Sequence, residues 1–307
     1  MNLSIIIISY NTKKLLIDCL QSIEESEKSK NRKLGMEVII VDNHSTDGTR
    51  ECLKEIKDNQ FKNFTIKTIF NQENVGWAKA NNQGIRESGG EYLLFLNPDT
   101  IVLPFALTKL YHSMEKDPQV GIATGRINLA NGQFQKECHR GFPTPWNSFC
   151  HFTGMDRIFP KSRLFAGYFL GYLPLDVDHE IDACTGAFMM VKRKVGEKIG
   201  WWDEDYFWYG EDLDICYRTK KAGFKTMYYP YLCIIHYHGA SSGIIKETKS
   251  KANAKTKKMA ALASTKAMRT FYQKHYQKKY PTIINKLTIS GINLLEKIRV
   301  KKIASQH

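Results

Sequence analysis

Carboxylates and aromatic residues are concentrated in one stretch of the chain, Trp201–Arg218, with the sequence WWDEDYFWYGEDLDICYR. Glu211 and Asp212 open a helix predicted over residues 211–222, which Gly223 would end. The positive end of a helix dipole favours carboxylates in the first turn. A carboxylate held among aromatic rings at the mouth of a site can act as a general base. An acidic first turn on a surface helix is the competing interpretation.

Polar residues also follow the first two predicted strands. Asp42 and Asn43 come directly after a β-branched run that is typical of a strand buried on both faces. There Asp42 could accept a hydrogen bond from a ring N–H of a nucleobase, and Asn43 could add a polar contact. Tyr10 and Asn11 follow the first predicted strand in the same way. Ligands of parallel sheets bind outside the carboxyl ends of the strands, although Asp42 could equally only cap its turn.

A third group could bind a metal. Asn97 and Asp99 follow the predicted strand Tyr92–Leu96. A single carboxylate there could bind Mg²⁺ together with the oxygens of a diphosphate. His236 and His238 follow a late strand, and a spacing of two places both rings on one face of an extended chain. Either histidine could be a further ligand of the metal or the diphosphate, while an ordinary Asn-Pro-Asp turn and unliganded histidines are the alternatives.

Trp77 and Asn81 lie in the segment NVGWAKANNQG, where a helix is predicted to begin after Gly76. The N-terminus of a helix can bind an anion, although this segment could be a plain helix start. The chain contains neither a GxxxxGK loop nor a GxGxxG loop. Their absence weighs against kinases, nucleoside triphosphatases and dinucleotide-binding enzymes.

Strands and helices alternate through the first 100 residues, which predicts βαβ units and a parallel sheet. After Thr100 the pattern loosens, and residues 130–180 are predicted to be a loop-rich insertion. The predicted strands are 3–9, 37–41, 64–70, 92–96, 182–191, 225–229 and 233–236, and the predicted helices are 15–25, 49–57, 77–87, 211–222, 254–276 and 283–303.

The formal net charge of the 307 residues is +14, and all of it lies near the C-terminus. Residues 246–302 contain 16 Lys or Arg and two acids, whereas the other 29 basic and 29 acidic residues balance. Seven cysteines without a CxxC pair favour free thiols in a reducing compartment. The chain contains no apolar run of about 20 residues that could span a bilayer, and its apolar start predicts a strand and not a signal peptide. These features predict a cytoplasmic protein.

The tail is predicted to form two helices broken at Pro281. In the second helix Ile284, Leu287, Leu294, Leu295 and Ile298 are expected on one side, with lysines and arginines between them. A basic amphipathic helix lies in the interface of an anionic membrane. The tail is therefore predicted to bind the inner face of the cell membrane, and packing on the catalytic domain or pairing with another subunit is the alternative.

Seven segments occur in a fixed order between residues 3 and 242. They are IIIISYNT, IIVDNHSTDGT, NVGWAKANNQGI, LLFLNPDT, IDACTGAFMMVKR, GWWDEDYFWYGEDLDICYR and IIHYHGAS. This order resembles the inverting family 2 glycosyltransferases of the rhamnosyltransferase type. The resemblance implies an α/β fold of the nucleotide-diphospho-sugar transferase (GT-A) type with a mostly parallel central sheet. It implies a glycosyltransferase domain over residues 1–245, divided into a nucleotide-binding half (1–100) and an acceptor half (101–245), and a basic helical tail over 246–307.

The resemblance also assigns roles to residues. It implies that Asp42 binds the nucleobase, helped by the turn at Tyr10 and Asn11, and that Asp99 is the metal carboxylate, because Asn97-Pro98-Asp99 stands in place of the DxD motif of the family. Glu211 and Asp212 match the Glu-Asp pair of the family, and Asp212 matches its general base. The remaining expected donor contacts and metal ligands are Asn43, Trp77, Asn81, Asn97, Asp203, and His236 or His238.

These roles imply transfer of a sugar, with Mg²⁺ or Mn²⁺, from a nucleotide-diphospho-sugar such as dTDP-rhamnose to a saccharide. The expected acceptor is a lipid-linked intermediate in the synthesis of a bacterial surface polysaccharide, and the loop-rich residues 130–180 are expected to determine acceptor specificity. A UDP-hexose donor and a non-catalytic nucleotide-sugar-binding relative are the alternatives. A nucleotidyltransferase would need a glycine-rich loop after the first strand, where this chain has SYNTKKL. The apolar spacing in the tail favours a membrane over nucleic acid as its partner, and a homo-oligomer is also expected.

Overall fold

The first four strands form a parallel unit, as the alternating pattern predicts. The computed structural model describes residues 1–27, 34–56, 60–237 and 254–305. Every residue of the first, second and fourth strands is buried, because their aliphatic sequences leave no polar face. The elements of this half are β1 (Leu3–Ser9), α1 (Lys13–Ser26), β2 (Met36–Asp42), α2 (Thr49–Glu55), β3 (Phe64–Phe70), α3 (Trp77–Glu87) and β4 (Tyr92–Leu96).

The second half extends the same sheet in mixed directions. Its elements are β5 (Thr100–Val102), α4 (Ala106–Lys116), β6 (Val120–Leu129), α5 (Pro145–Thr153), α6 (Met155–Ile158), β7 (His179–Ile181), β8 (Phe188–Lys192), α7 (Arg193–Ile199), α8 (Glu211–Lys221) and β9 (Lys225–His236). The strand order is β3-β2-β1-β4-β8-β6-β9-β5, and β7 pairs with β9. Strand β8 is antiparallel to β4 and β6, while β9 is parallel to β6. The start of β8 therefore lies beside the carboxyl end of β4.

Three sequence predictions for this half are wrong. The pattern does not loosen after Thr100, because β6 is a ten-residue strand inside the sheet. The two predicted late strands form one strand, β9, whose register against β6 shifts between Gly125 and Arg126. A side chain at Gly125 would meet the Leu232 carbonyl oxygen at 2.1 Å, so the shift requires glycine there. The predicted strand over 182–191 is shorter, since only Phe188–Lys192 is extended in the sheet.

Two helices follow the sheet, α9 (Ala254–His275) and α10 (Thr282–Ala304), with Pro281 between them as predicted. Helix α9 packs against the sheet and its helices. Phe271 and Tyr272 of α9, and Tyr276 just after it, belong to the same buried cluster as the sheet. The predicted boundary at residue 245 lies among residues 238–253, outside the described residues, and it stays a prediction. Among the helices of the described residues, none has the length and apolar character needed to cross a bilayer.

The predicted apolar side of α10 is wrong in part. Ile284 and Leu295 are half-buried, whereas Leu287, Leu294 and Ile298 are exposed. The reason is geometric, because positions 284 and 295 lie on one line along a helix, and position 287 is rotated from that line by roughly 60°. One apolar line of α10 thus helps the helices to pack, and a second faces solvent. All seven cysteines are free thiols, as predicted.

Candidate active site

The turns after β1 and β2 are joined by hydrogen bonds. Asn11 has a left-handed backbone (φ 54°), its backbone N–H donates to Ser45 Oγ at 2.9 Å, and its side-chain oxygen accepts from the Thr46 N–H at 2.7 Å. Tyr10 is exposed beside this junction. The structure therefore brings the predicted residues Tyr10 and Asn11 to the turn that follows Asp42.

Asp42 is a fully buried carboxylate at the end of β2. Its Oδ2 accepts from the Ser45 N–H at 3.2 Å and lies 3.6 Å from Arg50 Nε. Its Oδ1 is buried and has no hydrogen-bond partner among the described residues. A buried acceptor without a partner is unfavourable by about 1–3 kcal/mol. This oxygen is accordingly a site at which the N–H of a ligand would restore a hydrogen bond.

Three further predicted donor contacts hold protein segments together. The side-chain amide of Asn43 donates to Asn74 Oδ1 at 2.8 Å and accepts from the Val75 N–H at 3.0 Å, which fixes the loop before α3. Trp77 packs edge-on against Trp202, with ring centroids 4.7 Å apart. The buried Asn81 donates to the Trp77 carbonyl at 2.9 Å. These contacts position the start of α3, and direct contact of the three residues with a donor stays a prediction.

Asp99 and His236 meet at the carboxyl ends of β4 and β9. Both are buried, with His236 Nε2 3.0 Å from Asp99 Oδ1 and 3.3 Å from Asn97 Nδ2. His236 Nδ1 lies 2.7 Å from Gln135 Oε1, an arrangement that orients an imidazole ligand in metal sites. Carboxylate and amide oxygens are suitable ligands for Mg²⁺ or Mn²⁺, whereas an imidazole nitrogen favours a transition metal such as Mn²⁺ over Mg²⁺.

These residues fit a divalent cation that is completed by other ligands. Among the described residues no group of three His, Cys, Asp or Glu side chains could hold a metal ion by itself. The other predicted histidine, His238, lies outside the described residues. Asp99, His236 and Asn97 would therefore hold a cation together with ligand oxygens, such as those of a diphosphate.

Asp212 lies in the first turn of α8 and is paired with a residue that the sequence did not indicate. Its Oδ2 accepts from Arg140 Nη2 at 2.6 Å, and Arg140 also donates to the Cys184 carbonyl at 3.3 Å. Burial opposes the charge of Arg140, but the carboxylate of Asp212 outweighs this and raises the pKa of the guanidinium. Asp212 is 15% exposed, so its carboxylate is still accessible from solvent. A cation is thus held next to the predicted base.

The neighbouring carboxyl group of Glu211 has a different environment. Burial, and then repulsion by Asp212, raise the pKa of Glu211 from 4.5 to about 8. Its buried Oε2 has no hydrogen-bond partner among the described residues. At neutral pH Glu211 is therefore mainly protonated, whereas the neighbouring Asp212 is paired with Arg140. Environments that separate the ionisation of adjacent groups are typical of acid–base sites.

Helix α9 contacts three carboxylates of the segment Trp201–Arg218. His275 Nε2 lies 2.6 Å from Oδ1 of the buried Asp214, and Arg218 contacts the other oxygen of this carboxylate at 2.6 Å. Burial would raise the pKa of Asp214, but the hydrogen bond from His275 and the charge of Arg218 lower it. Lys274 contacts Asp203 at 2.5 Å and Asp205 at 2.6 Å. Asp203, a predicted donor contact, is thus held by an ion pair with the tail.

The sequence matches the profile of Glycosyl transferase family 2 over residues 4–200. The chain belongs to glycosyl transferase family 2. It is 25% identical over 226 residues to poly-beta-1,6-N-acetyl-D-glucosamine synthase of Staphylococcus aureus strain COL, covering 72% of this chain and 46% of that protein. The Staphylococcus epidermidis synthase is 24% identical over 233 residues, or 74% of this chain and 48% of that protein. This glycosyltransferase therefore spans about half the length of these relatives.

Solved structures of glycosyltransferases share the fold. The mannosyltransferase PcManGT from Pyrobaculum calidifontis, solved with GDP-Man and Mn²⁺, has a TM-score of 0.59 at 16% identity and covers 99% of this chain and 73% of its own. GalNAc-T7 with UDP, GalNAc and Mn²⁺ has a TM-score of 0.60 at 16% identity, covering 88% of this chain and 47% of its own. The S. aureus TarS fragment 1–349 has a TM-score of 0.53 at 13% identity over 99% of this chain and 83% of its own. The predicted GT-A fold with a largely parallel central sheet is thus confirmed.

One connection brings the parts of this glycosyltransferase together. The Asn97 N–H donates to the Ala187 carbonyl at 3.1 Å, and Arg140 binds the Cys184 carbonyl three residues earlier. Gly186, between them, packs against the ring of Trp77, where a side chain would approach to 2.7 Å. The segment before β8 therefore links the metal-binding end of β4, the start of α3 and the pair of Arg140 with Asp212.

Sequence reasoning missed Arg140, Gln135 and Tyr168. All three lie in residues 130–180, where no periodic pattern was found. The backbone of Arg140 pairs with Ala183 in an isolated bridge, and the Gly141 N–H donates to the Tyr168 carbonyl at 3.0 Å. Such long-range contacts leave no periodic signal in a single sequence. The available signal was an arginine between His139 and Gly141, in a segment rich in aromatic residues and glycine.

Proposed function

We propose that this glycosyltransferase moves a sugar from a nucleotide-diphospho-sugar to a saccharide acceptor with inversion, using Asp212 as the base. The observation that carries the proposal is the accessible carboxylate of Asp212, held 2.6 Å from Arg140 at the start of α8. Arg140 holds this carboxylate in place and supplies a positive charge beside it. Glu211, which is neutral at pH 7, adds no second negative charge there.

The chemistry needs one base. Asp212 would remove the proton of the acceptor hydroxyl as this oxygen attacks the anomeric carbon. Asp42 and the turn at Tyr10 and Asn11 would hold the nucleobase at the other end of the donor. A divalent cation held by Asp99 and His236 would offset the charge on the departing nucleoside diphosphate. No general acid is required, because this leaving group departs as a stabilised anion, unlike that in glycosidases, which use two carboxyl groups.

We take dTDP-rhamnose as the first donor to test, because the order of sequence motifs resembles the rhamnosyltransferase branch. A UDP-hexose is the alternative donor. The staphylococcal relatives are named as synthases of the polysaccharide poly-beta-1,6-N-acetyl-D-glucosamine, which supports a role in polysaccharide synthesis. A non-catalytic nucleotide-sugar-binding relative is the second candidate function, and it would bind donor without transfer.

The test is a screen of nucleotide-sugars by melting temperature, with and without Mn²⁺ or Mg²⁺. A ligand that binds only the folded state at 100 times its Kd stabilises by about 2.7 kcal/mol. We expect one donor to raise Tm only when the cation is present, and the same donor to be consumed in transfer. A shift without transfer to any saccharide would favour the non-catalytic relative, and the absence of any shift would contradict donor binding.

We further propose that α10 holds the enzyme on the inner face of the cell membrane, where a lipid-linked acceptor would be met. Ile283, Leu287, Leu294 and Ile298 form an exposed stripe, here called the aliphatic stripe, in which each residue is at least 55% exposed. Lysines flank it at positions 286, 297, 301 and 302. Each basic residue near an anionic surface contributes about 1 kcal/mol.

This anchor is tested with the double variant Leu287→Ser/Leu294→Ser. Removal of the whole tail would also expose the buried cluster around Phe271, so point substitutions are the cleaner change. We expect binding to anionic vesicles to weaken and high salt to release the unaltered enzyme. Unchanged vesicle binding by the variant, together with resistance to salt, would contradict the anchor.

A further inference from the structure

Helices α5 and α6 and the segment after them expose a large apolar surface. We call it the aromatic patch, and it consists of Trp146, Phe149, Phe152, Ile158, Phe159 and Leu164. Each of these side chains is at least 45% exposed. Phe165 joins its rings, since its centroid lies 6.2 Å from that of Trp146 and 5.2 Å from that of Phe159. Contiguous apolar surfaces of this kind mark protein, ligand or membrane contacts.

The charges around the patch are complementary to an anionic surface. Residues 145–165 contain Arg157, Lys161 and Arg163 but one acid, Asp156, which His151 contacts at 2.7 Å. Exposed aromatic rings flanked by basic residues are typical of segments that lie in the membrane interface. A saccharide would need hydrogen-bonding side chains, whereas the six members of the patch offer only the indole N–H of Trp146, which already donates to the Leu164 carbonyl at 2.8 Å.

The patch is close to α10. His151 of α5 stacks on Tyr168 with ring centroids 4.3 Å apart. Burial raises the pKa of Tyr168, and the charges of Arg140 and of Arg299 on α10 oppose this effect. Helix α10 contains five basic residues and one acid, Glu296, which Arg269 contacts at 2.6 Å. The aromatic patch and the helix that carries the aliphatic stripe therefore both interact with Tyr168 and have the same charge character.

The catalytic pair lies at the same place. The Tyr168 hydroxyl is close enough to Arg140 and Asp212 to interact with their charges, and the Tyr168 carbonyl accepts from the Gly141 N–H at 3.0 Å. Tyr168 thus stands between the aromatic patch, α10 and the predicted base. A surface that reached the patch would lie beside the acceptor side of the active site.

We propose that the aromatic patch inserts into the interface of an anionic membrane next to α10, so that the acceptor side of the site borders the bilayer. The proposal rests on the proposed function in one respect, because the benefit of insertion would be the delivery of a lipid-linked acceptor. Membrane insertion of the patch itself is a separate claim. It assigns to residues 145–165 a role in membrane contact in addition to acceptor specificity.

The test uses Trp146 as a depth probe. Of the five tryptophans, Trp146 alone is exposed, while Trp202 is almost fully buried. The full chain is mixed with phosphatidylglycerol vesicles that contain bromine in the acyl chains, which quench nearby indoles. We expect quenching in the unaltered protein and the loss of most of it in Trp146→Phe, which should still sediment with the vesicles. Sedimentation with vesicles but no quenching of Trp146 would overturn the proposal.

A second set of variants measures the energetic role of the patch. Phe149→Ser/Phe152→Ser should lower partitioning onto phosphatidylglycerol vesicles by about tenfold or more, because two aromatic rings that would be buried in the membrane interface are lost. Phe105→Ser, at an exposed aromatic residue outside both surfaces, is the matched control and should bind as the unaltered protein does. Unchanged Tm in each variant shows that folding is intact.

Two outcomes separate this proposal from its alternatives. If Phe149→Ser/Phe152→Ser dissolves a dimer in sedimentation velocity and leaves vesicle binding unchanged, the patch binds a second copy of the chain and the proposal is wrong. If the variant loses vesicle binding but still transfers sugar to a water-soluble acceptor, both the proposal and the proposed function stand. If the unaltered protein transfers no sugar to a soluble acceptor, this result would contradict the proposed function alone.

Discussion

The proposed function assigns a donor side to the turns after β1 and β2 and an acceptor side to the surroundings of Arg140 and Asp212. The two sides are built by different means. On the donor side, turns at the ends of adjacent parallel strands are joined by short hydrogen bonds, as between Asn11 and Thr46. On the acceptor side, Arg140 follows β6 and reaches Asp212 on α8, 72 residues later, while His275 of α9 contacts Asp214. The donor side follows from strand order, whereas the acceptor side depends on buried charges that only tertiary packing brings together.

This difference means that the two sides should respond separately to substitution. Changes on the donor side should weaken binding of the nucleotide-sugar and leave the chemical step almost intact. Changes on the acceptor side should slow the chemical step and leave donor binding almost intact. A variant on either side that altered both quantities equally would show that the two sides are coupled.

The largest effect is expected from Asp212→Asn. The amide has the same shape and can still accept from Arg140, but it cannot take a proton. We expect kcat to fall by about 10²- to 10⁴-fold, the usual contribution of a general base, with little change in the Kd of the donor. Steady-state kinetics and donor titration measure the two quantities, and Asp176→Asn, at an exposed aspartate, is the control. Transfer near the unaltered rate would remove Asp212 from its role.

The next effect concerns the cation. Chelation should abolish transfer, and added Mn²⁺ should restore it. Gln135→Leu removes the oxygen that contacts His236 Nδ1 at 2.7 Å. Loss of such a supporting contact typically costs 10–100-fold in metal affinity, so half-maximal activity should require about that much more Mn²⁺. Full activity after exhaustive chelation would be incompatible with a cation at Asp99 and His236.

A smaller effect is expected from Asp42→Ala on the donor side. A hydrogen bond to a charged group contributes about 1.5–3 kcal/mol, so the KM for the donor should rise by about tenfold or more. The kcat should change little. The donor KM of Asp42→Asn, which keeps one acceptor oxygen, should lie between those of the unaltered enzyme and Asp42→Ala. An unchanged donor KM in a variant that keeps its Tm would refute the nucleobase role.

The last prediction concerns a pH dependence of stability and not of activity. Because the pKa of Glu211 is raised from 4.5 to about 8, its stabilising contribution is complete below pH 4.5 and is lost as the pH rises toward 8. Over that range this residue should lower the free energy of unfolding by up to about 1.4 kcal/mol per pH unit. Glu211→Gln, neutral at every pH, should remove this part of the slope in urea unfolding experiments. An identical slope in both proteins would show that Glu211 is ionised in the folded state.

The sequence predicted the donor side better than the acceptor side for a physical reason. The strands Leu3–Ser9, Phe64–Phe70 and Tyr92–Leu96 and the helix Trp77–Glu87 have the predicted bounds, because each has a local pattern bounded by turn residues. The helix that begins at Glu211 was predicted for the same reason.

The acceptor side lacked such local signals. Strand β6 was missed because Gly121 and Gly125 interrupt its apolar run, and both glycines are required where other chain segments approach closely. The partner of Asp212 was missed because Arg140 lies between short irregular segments. The two apolar lines of α10 were merged because their difference in direction is less than one residue step around the helix.

The central claim is direct displacement by one base, and the configuration of the product tests it most directly. The enzyme, the donor that raises Tm, the cation and a saccharide acceptor are incubated together, and the one-bond carbon–proton coupling at the new anomeric centre is measured by NMR. A single base at Asp212 predicts a configuration opposite to that of the donor. A product that retains the configuration of the donor would contradict the account.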